Sequence, residues 1–302
     1  MAELDKVYAA QYGANVYTMA QQRGSILRPY VTIEEMKGER RFFDRVGSTA
    51  AQKVEGLYEN TPLIHTPFSR RCLYRTDYVW ADMVDWGDDL NVFIDPTSSI
   101  VQAGAMALGR ALDKEIIYKG FYADALEGAN GTEAVVFPEE QKVNVAFGAT
   151  GNVGLTVEKL RRAYALFCKA DVDLAHPDNE LYIAVSQQQM EDLITNVDIR
   201  NAQYSAILDL YCGKTDKFMG FKFIRTEQLQ YVDEYPTVRT CVAWCKSGIV
   251  CCVPQEIQMT VNTRPDKNNM WQAAAKMGIG ATRLEDAKVV HIFCQEETAA
   301  AE

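Results

Sequence analysis

An apolar repeat in the first half of the chain has the period of one long α-helix. Five apolar residues follow one another at spacings of four, three, four and four: Val101, Ala105, Leu108, Leu112 and Ile116. Such spacings place side chains on one face of a helix. Asp95 and Pro96 stand before the repeat, and these residue types are favoured at the N-cap and in the first helical turn. The pattern predicts a helix that, if it reaches Tyr122 unbroken, is about 40 Å long.

Two extended segments precede this helix and predict a long β-ribbon. Residues 37–46 and 63–79 have the composition of strands, and the polar stretch from Gly47 to Thr61 separates them. Because an isolated hairpin is only marginally stable in water, we expect the ribbon to rest on another surface. Residues 3–22 form a weakly amphipathic stretch that predicts an arm with the same need, since Gly13 weakens its helix by about 1 kcal/mol relative to alanine.

Charge is unevenly distributed over the ribbon and the segment that follows it. Residues 37–75 carry eight basic and four acidic side chains, whereas residues 76–95 carry six Asp and no Lys or Arg. The difference predicts either two solvated faces or a basic ribbon that lies across an acidic strip of a second copy, where charge sets register more than affinity. In the second interpretation the candidate contact residues are Arg40, Arg41, Arg45, Lys53, Arg70, Arg71, Asp82, Asp85, Asp88 and Asp89.

Composition restricts the class of protein. The 302 residues are 48% hydrophobic and 24% charged, which is typical of soluble globular proteins. With 31 basic and 41 acidic side chains the net charge is −10, so the chain is poorly suited to wrap nucleic acid. No apolar run approaches the roughly 20 residues of a membrane span, and the N-terminus lacks the order of a signal peptide. We expect a soluble protein made in the cytoplasm.

The eight cysteines predict free, mostly buried thiols. No secretion signal accompanies them, no CxxC pair is present, and the three histidines (His65, His176 and His291) lack ligand spacing relative to them. Free cysteine is among the most buried residue types. We therefore expect no metal site.

The second half of the chain predicts a mixture of short helices and strands. A helix follows Thr156, whose hydroxyl can cap it. Its predicted buried stripe consists of Val157, Leu160, Tyr164 and Phe167. Further predicted elements are a strand at 181–185, a short helix at 187–194, and strands at 218–224, 238–244 and 249–253.

One segment resembles the nucleotide-binding start of a short-chain dehydrogenase. Residues 143–147 predict a strand, and the run from Gly148 to Gly154 (GATGNVG) has the glycine spacing of a loop that brings pyrophosphate to a helix N-terminus. Three features oppose this interpretation. Thr156 restarts the helix beyond the last glycine, the strand at 181–185 ends without an acidic residue to hold a ribose, and no Tyr-x-x-x-Lys pair follows. A surface loop is favoured, and a nucleotide-dependent oxidoreductase is the alternative.

The order of several segments resembles the major capsid proteins of tailed bacteriophages, whose fold is named after phage Hong Kong 97. The matching segments are 71–85, Asp95 to Ser99, 109–117, 218–224, 264–267, 280–283 and 289–292. The resemblance implies an α+β, Hong Kong 97-like capsid fold. It divides the chain into an N-terminal arm (1–36), an extended β-ribbon or E-loop (37–80), a peripheral (P) domain with a long spine helix (81–178), an axial (A) domain (179–248), and a return to the P domain with a C-terminal tail (249–302).

The resemblance also implies a function. The chain would be a major capsid protein that assembles, as hexameric and pentameric capsomers, into the icosahedral shell around phage double-stranded DNA. Its partners would be copies of itself, a scaffolding protein, a portal and a decoration protein, with weak, nonspecific contact to packaged DNA and none to a membrane. It would belong to the virion after assembly in the host cytoplasm, with no catalytic residue, cofactor or metal. An encapsulin-like compartment shell is the nearest alternative.

Overall fold

The computed structural model describes residues 24–51, 53, 63–84, 99–149, 151–174, 176, 179–196, 204–232, 235–253 and 258–296. The predicted arm at 3–22, the Asp95-Pro96 helix start and most of the ribbon tip lie outside these residues. The chain divides into two compact units. The first comprises the described parts of Met1–Ser25, Asp77–Ala111 and Glu256–Met277, and the second those of Ile26–Thr76, Leu112–Gln255 and Gly278–Glu302.

Short strands predominate in the described chain. The strands are β1 (Thr32–Glu34), β2 (Arg40–Val46), β3 (Phe68–Tyr74), β4 (Thr76–Val84), β5 (Ala125–Glu127), β6 (Glu133–Val135), β7 (Lys142–Val143), β8 (Leu181–Val185), β9 (Lys217–Phe218), β10 (Phe221–Arg225), β11 (Tyr231–Val232), β12 (Tyr235–Cys245), β13 (Ile249–Cys252), β14 (Gln258–Arg264), β15 (Met270–Arg283) and β16 (Val289–Gln295). The α-helices are α1 (Ser99–Glu115), α2 (Val157–Lys169), α3 (Gln187–Thr195) and α4 (Tyr204–Tyr211), and a π-helical turn (Ile116–Tyr122) follows α1 directly.

The second unit is built on a seven-stranded mixed sheet. Its strand order is β7-β16-β12-β8-β10-β9, with β11 also paired to β12. Every residue of the central strand β8 is buried, as expected for a strand covered on both faces. Apolar residues of α2, α3 and α4, among them Phe167, Met190 and Ile207, pack with the strands in one hydrophobic core.

Local capping chemistry sets the start of two helices, and the first of these caps, Thr156, was predicted from the sequence. The Thr156 hydroxyl accepts a hydrogen bond from the Lys159 amide at 3.3 Å and α2 begins directly after it. Before α3, the Ser186 hydroxyl and the Gln189 side chain bond each other's backbone amides in a capping box. The predicted stripe of α2 is partly wrong, because Tyr164 is exposed. Ala163 is buried on the core face of the same helix.

The predicted ribbon is confirmed in part and belongs to a larger sheet. Its second predicted segment, 63–79, divides into β3 and β4, and of these two β3 pairs with β2. Strands β2 and β3 pair antiparallel from Arg40↔Tyr74 to Val46↔Phe68. Strands β5 and β6 extend the pair to four strands in the order β2-β3-β5-β6. The turn between β5 and β6 passes so close to Cys72 that a Cβ atom at Gly131, which has φ +67°, would overlap that side chain. The ribbon therefore packs against this turn near Cys72.

The long helix forms, but its last turns are π-helical. Leu108, Leu112 and Ile116 are buried as predicted, whereas Ala105 is exposed. The Ala123 amide bonds the Tyr118 carbonyl at 2.8 Å, which is the i→i+5 spacing of a π-helix. A Cβ atom at Gly120 would lie 3.2 Å from the Ile249 side chain, so the wider turn lies close against β13. The prediction of an unbroken α-helix to Tyr122 is wrong in this segment.

Three further predictions need correction. The expected strand at 143–147 ends at Val143, where β7 gives way to turns. The expected strand at 218–224 is a hairpin, because Met219 and Gly220 have φ of 50° and 84° and reverse the chain between β9 and β10. Helix α4 has no counterpart among the predicted elements. The strands expected at 181–185, 238–244 and 249–253 correspond to β8, β12 and β13.

The first unit contains a hairpin, strand β4 and the first part of α1. Strands β14 and β15 pair antiparallel from Gln258↔Lys276 to Arg264↔Met270, and Asn268 and Asn269 occupy the left-handed region in the connecting turn. Helix α1 lies directly on Trp80 of β4, since a Cβ atom at Gly104 would be 2.7 Å from the indole ring. Only glycine permits this approach.

The predicted domain boundaries remain predictions. The division into units falls between residues 76 and 77 and again inside α1 and β15, rather than at residues 80, 178 and 248. Strand β16, expected in the return to the P domain, pairs with β12 from Trp244↔Val289 to Val238↔Gln295. No helix among the described residues is long and apolar enough to cross a membrane.

Candidate assembly surface

The ribbon has an inner face that packs against other parts of the second unit and an outer face that is covered at Cys72 but exposed toward Val46 and Phe68. Side chains alternate between the two faces along each strand. On the inner face, Phe43 and Leu73 pack with Met36, Val250 and Cys252 in a small apolar cluster. The outer face is formed by Arg40, Phe42, Asp44 and Val46 of β2 and by Phe68, Arg70, Cys72 and Tyr74 of β3, of which Cys72 is buried against the turn between β5 and β6.

A network of charged side chains fixes the inner face. Arg71 is 1% exposed and places Nη2 2.5 Å from Asp286. Arg283, which is fully buried, binds the other oxygen of the same carboxylate at 2.5 Å. Arg45 lies 2.7 Å from Glu127, whose second oxygen is 3.8 Å from Arg71. Two buried guanidinium groups thus share one carboxylate, Asp286, at the base of the ribbon.

Because Arg71 and Arg283 are buried, the stability of this network depends on the carboxylate of Asp286. Desolvation lowers the pKa of Arg71, and the charge of Asp286 is the main opposing influence. Arg283 also donates to the Ala123 carbonyl at 3.3 Å and stacks over the Phe137 ring at 4.7 Å. The sequence contains no signal for this arrangement, because Arg71 and Asp286 are 215 residues apart.

The outer face combines charge and aromatic contact. Arg70 Nε lies 2.5 Å from the Asp44 carboxylate, and this hydrogen bond lowers the pKa of Asp44. The guanidinium groups of Arg40 and Arg70 lie 5.8 Å and 5.6 Å from the centre of the Phe42 ring. These distances are typical of cation–π contacts. The outer face is therefore ordered by contacts between its own side chains.

Large apolar side chains are exposed toward the distal end of the ribbon. Val46 and Phe68 are directly paired across the strands and are 65% and 74% exposed. Leu63 and Ile64, which precede β3, are 89% and 44% exposed. Neighbouring exposed apolar side chains, as Val46 and Phe68 are, mark interaction sites. The charge pattern of the sequence does not predict this surface, although Leu63 and Phe68 are apolar residues beside the polar tip.

The predicted contact residues differ in their surroundings. Arg40, Lys53 and Arg70 are exposed, whereas Arg41 bonds Glu34 and the Glu35 carbonyl. Arg45 and Arg71 belong to the inner network just described, so their charges are engaged within the subunit. Asp82 is exposed and accepts from the Met83 amide at 2.9 Å. Asp85, Asp88 and Asp89 lie outside the described residues.

Side chains of the same unit fill the space beside the glycine-rich segment, where a cofactor would have to bind. Lys159 is fully buried and donates to the carbonyls of Val153, Gly154 and Phe293 at 2.7, 2.9 and 2.8 Å. A Cβ atom at Gly154 would overlap the Asp192 carboxylate. A pyrophosphate needs converging amide donors, but this segment directs carbonyl oxygens at a lysine and lies beside an acid. The segment therefore packs against the N-terminal turn of α2, through hydrogen bonds from Lys159.

Most cysteines are buried small side chains, as predicted. Six are buried, and Cys168 and Cys212 are exposed. Burial raises the pKa of Cys245 and of Cys251 to about 12. Within the described part of the chain, no group of three or more His, Cys, Asp or Glu side chains is placed to hold a metal ion.

Comparison with known proteins decides the family. The family model described as phage capsid protein matches residues 4–296. The chain belongs to the phage capsid protein family. This capsid protein is therefore a structural component of the virion, and the resemblance stated from its sequence is confirmed. No curated protein matches the chain.

Solved phage capsids share the fold. The capsid of Ralstonia phage GP4 has 11% identity and a TM-score of 0.68, with 97% of each chain covered. The capsid of cyanophage Pam1 has 13% identity and a TM-score of 0.68, with 98% of each chain covered. The structure of Mycobacterium phage Ogopogo has 15% identity and a TM-score of 0.63, with 96% of this chain and 98% of that chain covered. The expected mixed α and β capsid fold is confirmed.

Proposed function

We propose that this major capsid protein assembles, as hexamers and pentamers, into an icosahedral head that encloses double-stranded DNA. The family match over residues 4–296 supports this function. The observation that carries the mode of assembly is the distal ribbon, where Val46 and Phe68 remain exposed as a pair. A side chain of this size stabilises a complex by about 1.5–3 kcal/mol when it is fully buried.

We further propose that the outer face of the ribbon docks on a second copy of the chain. Its distal end offers apolar contact through Val46 and Phe68, the neighbouring ion pair of Asp44 and Arg70 offers charge, and Arg40 adds a further charge at the base. The apolar pair supplies affinity, whereas the charges set register. Of the four acidic candidates proposed to meet the ribbon (Asp82, Asp85, Asp88 and Asp89), Asp82 lies within the described residues.

The net charge of the subunit determines how strongly the shell would bind packaged DNA. At −10 the subunit contacts packaged DNA weakly and without sequence preference, since strong binding requires many basic side chains. A scaffolding protein, a portal and a decoration protein complete the proposed set of partners, with assembly in the host cytoplasm. The subunit acts mechanically rather than as an enzyme. An encapsulin-like compartment is less favoured than a phage head because the matching family is that of phage capsids.

Exchanging Val46 and Phe68 together for serine should leave the subunit folded and abolish shells. Each ribbon contact loses about 3 kcal/mol or more, at least roughly a hundredfold in association constant. Shell yield is measured by electron microscopy and sedimentation after co-expression with the scaffolding protein. Val136→Ser is the matched control, because Val136 is 69% exposed but lies outside the ribbon. Normal shells from the double variant would refute the apolar contact. A parent chain that stays monomeric under these conditions would refute the capsid assembly itself.

Titration with NAD(H) or NADP(H) should produce no saturable fluorescence change and no shift in melting temperature. The reason is that Lys159 and Asp192 occupy the surroundings of the glycine-rich segment. A cofactor that bound the folded state would raise the melting temperature by mass action. A saturable shift at micromolar cofactor would restore the oxidoreductase alternative.

A further inference from the structure

A buried aromatic stack joins the end of the long helix to the seven-stranded sheet. His291 of β16 is 5% exposed, and its ring lies flat on that of Phe137, with centroids 3.8 Å apart and 8° between the planes. Arg283 lies over Phe137, the other ring of this stack, with its guanidinium carbon 4.7 Å from the ring centre. The Tyr122 ring lies 5.7 Å from that of His291. The imidazole is thus enclosed by two aromatic rings.

One hydrogen bond connects this histidine to the π-helical turn. His291 Nε2 lies 3.0 Å from the carbonyl oxygen of Phe121. A carbonyl can only accept, so Nε2 carries a hydrogen and the neutral ring has its second nitrogen unprotonated. The Tyr122 hydroxyl adds a second connection by donating to the Thr240 carbonyl of β12 at 2.7 Å.

Charged groups around the ring oppose a positive charge on it. Lys142 of β7 is the register partner of His291, and Arg283 approaches from the end of β15. The nearby carboxylates are already paired with these cations: Glu139 binds Lys142 at 2.6 Å and Asp286 binds Arg283 at 2.5 Å. Burial is the largest influence and lowers the pKa of His291 to about 3. The hydrogen bond to the Phe121 carbonyl opposes this shift, and the two cations add to it.

We propose that the contact between His291 and Phe121 is an acid-sensitive latch, which holds the π-helical turn on the seven-stranded sheet near neutral pH and releases it in acid. An opened state exposes His291 to water, where its pKa is about 6.5. Between about pH 6.5 and pH 3 the opened state therefore binds more protons than the closed one, so the closed state loses stability as pH falls. Above about pH 6.5 the latch keeps its full strength.

Hydrogen exchange of the unassembled subunit tests the latch. In the parent chain, the opening equilibrium constant reported by amides of β7, β16 and the π-helical turn should rise about tenfold from pH 6 to pH 5, after correction for the intrinsic exchange rate. His291→Gln keeps a donor for the Phe121 carbonyl but cannot titrate, so this rise should disappear. His65→Gln, at an exposed histidine of the same chain, should behave like the parent.

Two outcomes would overturn the proposal. One is a pH-dependent rise in His291→Gln as large as in the parent chain. The other is a parent chain in which the amides of β8 and β10 open with the same pH dependence as those of β16, since the loss would then be global. If His291→Gln does not fold, this comparison within the parent chain decides the question alone. The proposal does not depend on how the ribbon contacts a second copy.

Discussion

Replacing Leu112 by aspartate should prevent the unassembled subunit from folding. Leu112 is 3% exposed in α1, so the substitution buries a carboxylate among apolar side chains. An unpaired buried charge costs far more than a lost contact, whereas a folded protein is stable by only about 5–15 kcal/mol. Leu112→Ala removes packing without adding charge and should lower the free energy of unfolding by about 2–5 kcal/mol. Soluble expression and thermal unfolding measure both effects.

The same helix supplies the control for this experiment. Ala105 is exposed in α1, so Ala105→Asp introduces the same charge without burying it. Its cost should be limited to the weaker helix propensity of aspartate, at most about 0.7 kcal/mol. The unassembled subunit must be used, because contacts in a shell can mask a loss of stability. A Leu112→Asp chain that melts like the parent would contradict the burial of this stripe.

Elements with local signals were predicted correctly from the sequence. The cap at Thr156 acts within one helical turn, so residue types at short spacing were enough to place the start of α2. The helix at 187–194 was also predicted, although its cap at Ser186 was not. The ribbon was predicted for a similar reason, since its strands flank a polar tip in the sequence. The family resemblance added the order of the elements, which no local pattern contains.

Errors arose where packing at a distance decides local geometry. The π-helical turn at 116–122 lies close against β13, and its apolar spacing is the same as that of an α-helix. The hairpin between β9 and β10 did have a local signal, because glycine inside a strand pattern indicates a bulge or turn. In 218–224 that signal is Gly220, whose φ is 84°.

The candidate site shows the same limit. A count of charges cannot separate exposed Arg40 and Arg70 from Arg71, because burial depends on strands far apart in the chain. Arg71 is buried since β3 pairs with β5 and faces Asp286, which comes just before β16. The exposed apolar pair Val46↔Phe68 likewise becomes visible only when the register of the ribbon is known.

Asp286→Ala should lower the free energy of unfolding by about 3–5 kcal/mol, the range for removing one partner of a buried ion pair. The carboxylate serves Arg71 and Arg283, which are 1% and 0% exposed, so its loss leaves two buried guanidinium groups without their closest acid. Asp286→Asn keeps the shape and should still be strongly destabilising, because the charge is what offsets desolvation. Chemical denaturation of the unassembled subunit, followed by circular dichroism, gives the change.

Two further variants test this prediction: a control at an exposed ion pair, and a double variant that removes Asp286 together with one of its buried cations. Asp44→Asn disrupts the ion pair with Arg70 on the outer face and should not change the denaturation midpoint measurably, since exposed pairs contribute little. Arg71→Met combined with Asp286→Ala should recover part of the loss, because one buried cation is removed with its acid. If instead the double variant is as unstable as the sum of the two single variants, the two side chains are not energetically coupled. The inner network would then not be the contact that holds the base of the ribbon on its unit.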